Sequence, residues 1–204
     1  MLRDVIDQDY PLGLGSKSPR RREMLEKLGI PLRIVAADAD ERVLTREKPA
    51  VYLERVVAEK FAGAARSSAG ARLGALLVAD TIVVLDGEIL GKPGSVAEAE
   101  AMISRLSGRS HEVCTRFAVG VQPGEIRHAE TVSSVVSFRR LEPDEIRSYA
   151  KSGEGLDKAG AYAVQGLGSF AVARVEGSHS NVVGLPVCEV VLALKRTGLL
   201  GTFP

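Results

Sequence analysis

The feature that most constrains this chain is the run ALLVADTIVVL at residues 75–85, apolar and rich in β-branched residues apart from an acid at its centre, Asp80. That pattern is the signature of a strand buried on both faces. Such a strand needs a layer of structure above and below it. Asp80 is then a carboxylate facing a core, which is costly unless the group is paired or coordinates a metal. Groups of this kind concentrate at active sites, the plainer alternative being a salt bridge at a strand end. Thr81 follows and is placed to orient it.

Around this strand, helix and strand signals alternate. YPLGLG (10–15) reads as a short strand entering a glycine-rich turn, and Ser18-Pro19 opens a helix with a favoured N-cap and a favoured first residue. Met24, Leu25 and Leu28 form its apolar stripe and Gly29 ends it. A strand follows at 32–37, then a helix from Pro49 to about Arg66 with Val56, Val57, Phe61 and Ala64 on one face. Asp86-Gly87 marks a tight turn. Ser95 and Glu98 have capping-box spacing for a helix ending at Gly108, with Ala99, Met102, Ile103 and Leu106 buried. Residues 111–121 and 129–139 read as an antiparallel hairpin turned at Gln122-Pro123-Gly124. Pro143 and Gly153 bound a short helix, 161–175 reads as a broken glycine-rich strand, and a last helix runs from Pro186 to Gly198. The order predicts the α/β class: a mixed twisted sheet with helices on both faces.

A chain of 204 residues suits a single domain, 1–204, or two lobes sharing a core. With no Trp and 4% aromatics, that core must be mostly Val, Leu, Ile and Ala. A net charge of +1 and few aromatics offer neither the basic excess nor the stacking platforms of a nucleic-acid binder, so nucleic acid is disfavoured as a partner; a local basic pocket for a small anion is compatible. Cys114 and Cys188 are far apart with no CxxC spacing, which predicts two reduced thiols in apolar strand or helix surroundings. No apolar run reaches the roughly 18 residues that cross a bilayer. The start, MLRDVIDQDYP, is charged throughout and lacks the apolar region of a signal peptide. The expectation is a soluble cytoplasmic protein.

Six segments could carry chemistry. In GLGSKSPRRREML (13–25) a glycine-rich strand end feeds a helix N-terminus, where free N–H groups and the helix dipole favour an anion. Ser16 and Ser18 add hydroxyls, and Lys17, Arg20 and Arg21 add charge. Basic residues in a first turn oppose the dipole, so a bound phosphate would offset them; a Walker A loop is absent. Asp80 is the second segment. The third is Asp38-Ala39-Asp40-Glu41, oxygen-rich enough for Mg²⁺ or Mn²⁺, though on spacing alone a solvated acidic turn. Lys92, held in Gly91-Lys92-Pro93, could reach a phosphate. GEGLDKAGAYAVQG (153–166) pairs Asp157 with Lys158 and leaves backbone exposed for a flat ligand such as a base. Lys60 is the sixth, on a helix where a solvated lysine is the default. His111, His128 and His179 have no metal-ligand spacing, and no nucleophile elbow supports Ser/His/Asp chemistry.

Taken in order, SKSPRRREML (16–25), the acids ending in Glu41, EKFA (59–62), ADTIVVLDGEILGKP (79–93), LSGRSHEVCT (106–115), GEGLDKAGAYAVQG (153–166) and NVVGLP (181–186) resemble the Maf family of nucleotide pyrophosphatases over nearly the whole chain. The resemblance implies two lobes around a deep cleft, as in Maf/ITPase-like folds. It implies hydrolysis of a nucleoside triphosphate between the α- and β-phosphates with Mg²⁺ or Mn²⁺, a link to septum formation and the cell cycle, and frequent homodimers. The DKAGAYAVQG block is similar to the branch acting on dTTP and UTP; the branch acting on 7-methyl-GTP carries Glu where Gln165 stands.

The residues support the following expectation. Lys60, Lys92, Arg20 and Arg21 hold the triphosphate, with Ser16, Ser18 and the helix N-terminus as neutral donors. Glu41 and Asp80 hold the metal. Asp80, raised towards neutrality by an apolar strand, doubles as general base. Lys158 and Gln165 read the pyrimidine edge, because a Gln amide offers both a donor and an acceptor. One competing reading is a house-cleaning enzyme for modified nucleotides; another is a non-catalytic nucleotide- or nucleic-acid-binding regulator of division.

Overall fold

The run at 75–85 is β3 (Ala75–Leu85), the strand around which everything else is arranged. The structure is a computed structural model and describes residues 6–203. The reading of the extreme N-terminus falls partly on residues 1–5, outside the described residues. In chain order the elements are β1 (Leu12–Gly15), α1 (Pro19–Glu26), β2 (Leu32–Ile34), α2 (Pro49–Ser67), β3, β4 (Glu88–Leu90), α3 (Val96–Leu106), β5 (Ser110–Val121), β6 (Glu125–Phe138), α4 (Pro143–Ser152), β7 (Val172–Glu176), α5 (His179–Val183) and α6 (Val187–Arg196). The sheet runs β2-β1-β3-β5-β6-β7, with β4 folded back on β3. β1 is parallel to β2 and β3, and the other pairings are antiparallel. The sheet is therefore mixed, as its sequence predicts. Among the described residues no helix is long and apolar enough to cross a membrane.

Successive side chains of a strand point to opposite faces. Ala75, Leu77 and Ala79 join a core with Leu25 of α1 and Val190 and Leu194 of α6. Leu76 and Val78 point the other way, onto Phe61 and Ala64 of α2. Further along, Ile82 and Val84 pack on Tyr52, Leu53 and Val56 at the start of α2. Val83 and Leu85 join Ile103 and Leu106 of α3 and Ile146 and Tyr149 of α4. Asp80 and Thr81 occupy the interval at which, on each face, one core gives way to the next. Two lobes thus share one strand, and the cleft opens where their cores part.

The structure departs from the sequence reading in local ways. The strand expected at 32–37 ends at Ile34. The segment 161–175 forms strand only from Val172; before it lie two 3-10 turns, Ala159–Ala161 and Leu167–Ala171. Ahead of Val172, the N–H groups of Ala163, Leu167 and Gly168 are taken by the side chains of Tyr149 and Glu154 rather than by a neighbouring strand. β4 and α5 are too short, at three and five residues, to leave a periodic signal. Ser18 stands at the N-cap of α1 without a side-chain cap bond. Ser95 does cap Glu98 N–H at 3.2 Å, but the Glu98 carboxylate turns to Gly94 N–H (2.7 Å) instead of closing the box. The complete capping box is Glu142 with Glu145, on α4. Both cysteines are free; Cys114 is buried as expected, whereas Cys188 is exposed, on the outer side of α6.

Candidate active site

Because Asp80 shares a face of β3 with Val78 and Ile82, it points at α2, and Lys60 is the buried α2 residue that meets it. The Lys60 ammonium is 2.6 Å from Asp80 Oδ1 and 2.6 Å from Glu41 Oε1. Lys60 is 8% exposed and Asp80 7%, so the solvated lysine expected by default is instead a buried cation between two carboxylates. Lys92, from the loop after β4, lies 3.4 Å from Glu41 Oε2. Burial by itself would raise the Glu41 carboxyl; the hydrogen bond and charge of Lys60, with Lys92 behind them, hold it below its ordinary value. Asp80 does not face bare hydrocarbon, because its strand delivers it directly to an ammonium.

Of the three clustered acids, only Glu41 reaches this group. Asp38 is 3.9 Å from Lys17 in solvent, and Asp40 is engaged by Arg42 at 2.7 Å. What presents Glu41 is a set of contacts that the sequence did not single out. Arg55 of α2 donates to the carbonyls of Asp40 (2.8 Å) and Arg42 (2.9 Å) and pairs with Glu47 at 2.7 Å. Tyr52 donates to Glu41 O at 3.1 Å, and Glu59 accepts from Asp40 N–H at 3.0 Å. The loop is therefore laced to α2 one and two turns away from Lys60. The only advance signal was the helical spacing of Tyr52, Arg55 and Glu59.

Arg21 is buried, 9% exposed, and four of its five N–H groups are already engaged. Nε donates to Gly184 O (2.7 Å), Nη1 to Ala79 O (2.9 Å) and Ser16 Oγ (3.2 Å), and Nη2 to Thr81 Oγ1 (3.0 Å). Thr81 in turn meets Thr115 Oγ1 at 2.9 Å. Arg21 ties α1, β3 and the end of α5 together immediately beside Asp80. Ser16 Oγ accepts from Arg21 and from Ser18 N–H (3.2 Å), which leaves its own hydroxyl hydrogen to give.

The facing wall is the segment 153–168. Lys158 donates to Glu154 O and Asp157 Oδ1, so this lysine is largely bonded within its own loop. Asp157 is also 3.7 Å from Arg20 Nη1, an ion pair that crosses the mouth of the cleft. Gly155 has no room for a side chain, since a Cβ there would lie 1.9 Å from Ala161 O. Between the walls is a cavity of about 690 Å³, lined by all ten residues singled out from sequence: Ser16, Ser18, Arg20, Arg21, Glu41, Lys60, Asp80, Lys92, Lys158 and Gln165. His111 stays outside it. Its Nε2 is 2.8 Å from the Tyr162 hydroxyl, and burial lowers it to about 4, a structural histidine.

The cavity joins several cations and a helix N-terminus on one wall to the loop that carries the exposed Gln165 on the other, a shape suited to a polyanion carrying a flat group. Among the described residues no three or more His, Cys, Asp or Glu side chains form a metal cluster. Glu41 Oε1 and Asp80 Oδ1 meet at the Lys60 ammonium, so a hard cation would draw on the second oxygens of these carboxylates and take its remaining ligands from substrate phosphates and water.

The comparisons with known proteins agree with one another. The family model for Maf-like protein matches residues 11–197. A dTTP/UTP pyrophosphatase of Myxococcus xanthus (strain DK1622) is 50% identical over 92% of this chain and 93% of its own length. A dTTP/UTP pyrophosphatase of Geobacter sp. (strain M21) is 46% identical over 92% of this chain and 96% of its own. With a matching model over almost all of the sequence and relatives of this closeness, the chain belongs to the Maf-like protein family.

Proposed function

We propose that this chain is a nucleoside triphosphate pyrophosphatase acting on dTTP and UTP, releasing the monophosphate and pyrophosphate. The observation that carries the reading is the buried Lys60 ammonium bridging Asp80 and Glu41 at 2.6 Å each, at the point where the two lobes part. The relatives named dTTP/UTP pyrophosphatase support the substrate class.

In this reading the triphosphate lies along the first wall. Lys60, Lys92 and Arg20 supply positive charge, and Ser16 with the first turn of α1 supplies neutral donors. Arg21 holds Ser16 and the Ala79 carbonyl in place and has one N–H left for a phosphate oxygen. Glu41, and Asp80 through water, would hold Mg²⁺ or Mn²⁺, which would supply neutralisation of charge on the phosphates. Asp80 Oδ1 is fixed by Lys60, and Oδ2 accepts the proton of the attacking water. Gln165, exposed on the cavity wall, reads the base by donating to one carbonyl and accepting from N3–H. Lys158 adds its remaining N–H beside it.

The test is pyrophosphate release from dTTP, UTP, CTP, GTP, ATP and 7-methyl-GTP with Mg²⁺, Mn²⁺ or EDTA. Turnover led by dTTP and UTP and lost in EDTA is the expected result. Turnover led by a purine nucleotide would reject the role of Gln165, and turnover undiminished in EDTA would reject the metal. No turnover from folded protein would leave a nucleotide-binding regulator.

A further inference from the structure

Gln165 sits in the middle of a segment whose two ends are held by one pair of side chains. On the near side, Ala163 N–H donates to the Tyr149 hydroxyl at 3.1 Å. On the far side, Leu167 N–H and Gly168 N–H donate to the two oxygens of Glu154, each at 2.8 Å. Tyr149 and Glu154 are joined to each other, the hydroxyl donating to Glu154 Oε2 at 2.9 Å. Burial raises Tyr149 well above its ordinary range, so the phenol keeps the proton it donates. Burial acts to raise Glu154 as well, but the N–H groups of Gly168 and Leu167 outweigh it and keep the carboxylate ionised. Gly166, the residue after Gln165, completes the fit. Its backbone, at φ 104° and ψ −152°, is in a region open essentially to glycine alone, and a Cβ there would lie 2.3 Å from Glu154 Oε1. Only the three residues Val164, Gln165 and Gly166 lie between the anchored amides.

We propose that Tyr149 and Glu154 are positioning residues for substrate selectivity: they clamp the backbone on either side of Gln165 and so set where its amide meets the base. The proposal rests on the base-reading role of Gln165 given above. Neither side chain bonds to Lys60, Asp80 or Glu41, and of the two only Glu154 lines the cavity, with both its oxygens taken by Tyr149, Leu167 and Gly168, so the clamp governs which base is accepted and leaves the rate of the chemical step alone. A single misplaced hydrogen bond to a desolvated base edge costs about tenfold in discrimination.

The experiment measures kcat and KM for dTTP and for CTP, whose edge reverses donor and acceptor, in the wild-type protein and in Tyr149→Phe, Glu154→Gln, Gln165→Ala and the double variant Glu154→Gln/Gln165→Ala. Melting temperatures identify any variant that fails to fold; Tyr149→Phe keeps the ring packed near Phe170 and carries the test if Glu154→Gln does not fold. Each clamp variant is expected to lower the dTTP-to-CTP ratio of kcat/KM by about tenfold, mostly through KM for dTTP, with kcat within about threefold of wild type. In the double variant the ratio falls no further than in Gln165→Ala alone. A loosened scaffold would lower both substrates alike and leave the ratio unchanged, which overturns the clamp. If Gln165→Ala lowers the ratio while the clamp variants do not, the clamp alone is wrong. If Gln165→Ala leaves the ratio unchanged, base reading by Gln165 fails and the clamp falls with it.

Discussion

The two walls of the cleft are built on opposite principles. The wall formed by α1, α2 and β3 places charged groups in the interior and holds them with one another: Lys60 against Asp80 and Glu41, Arg21 against two carbonyls and two hydroxyls. The wall formed by residues 153–168 keeps Gln165, the proposed base reader, exposed and fixes the backbone beneath it. A phosphate chain is the same in every nucleotide, so its site can be rigid, and rigidity comes from buried charge pairs that are costly to break. A base differs between nucleotides, so its reader must stand free while its position is fixed from behind. On the proposed roles, the first wall couples activity to stability and the second separates selectivity from both.

The largest expected effect tests the first wall directly. Asp80→Asn removes the proposed proton acceptor while keeping the shape, and turnover should fall by about a thousandfold or more, with nucleotide binding retained by calorimetry. Near-normal turnover would dissolve the contrast by showing that the buried acid is only a partner for Lys60.

Stability separates the walls next. Lys60→Met strands Asp80 and Glu41 together near the interior and should cost about 3 kcal/mol in urea unfolding along with most activity. Gln165→Ala, at an exposed position, should leave the unfolding midpoint unchanged. Equal losses would contradict the division of labour.

The second lobe has its own acid sensitivity, away from the cleft. His111 is buried against Phe138 and the Tyr162 hydroxyl, and Nδ1 has no partner among the described residues. Its folded form takes a proton only near pH 4, against 6.5 when unfolded. The unfolded state therefore binds more protons in that window, and stability, full above pH 6.5, declines as pH falls towards 4. The decline amounts to about 3 kcal/mol. His111→Gln should flatten that part of the pH–stability curve relative to wild type; an unchanged slope would assign the acid loss to other groups.

The smallest effect concerns the bridge between the walls. Asp157→Asn breaks the half-exposed pair with Arg20 across the cleft mouth, and stability should change by less than about 1 kcal/mol. A fall in dTTP affinity that salt reproduces in the wild-type protein would show the pair helping to set the width of the cleft.

Much of this was legible in advance because it depends on local pattern. The β-branched run with one acid identified both the central strand and the buried carboxylate that meets Lys60, since an apolar strand tolerates a carboxylate only where a partner waits. Proline and glycine marked the ends of α1, α2, α4 and α6. Of the ten residues later found around one cavity, Asp80 and the group from Ser16 to Arg21 stood out by local pattern, while Glu41, Lys60, Lys92, Lys158 and Gln165 were singled out by the family resemblance. What stayed hidden depends on which elements face each other. Spacing alone did not separate three acids in four residues, and only the resemblance pointed to Glu41; it is the one that reaches Lys60 because Arg55 and Tyr52 of α2 bond the carbonyls of Asp40, Glu41 and Arg42 and fold this backbone onto the helix. Arg21 was expected to hold the triphosphate, and four of its five N–H groups instead tie three elements together in the interior. The segment 161–175 looked like a poor strand, because its backbone donors are satisfied by Tyr149 and Glu154, and no sequence period records a bond between a side chain and a distant amide. The sequence by itself determined which residues could be buried, where the chain turns and which groups carry charge, for these are properties of neighbours along the chain. Only the tertiary structure decided which charge answers which, because that depends on the packing of α2 and α4 across the sheet and on distances that chain spacing does not encode.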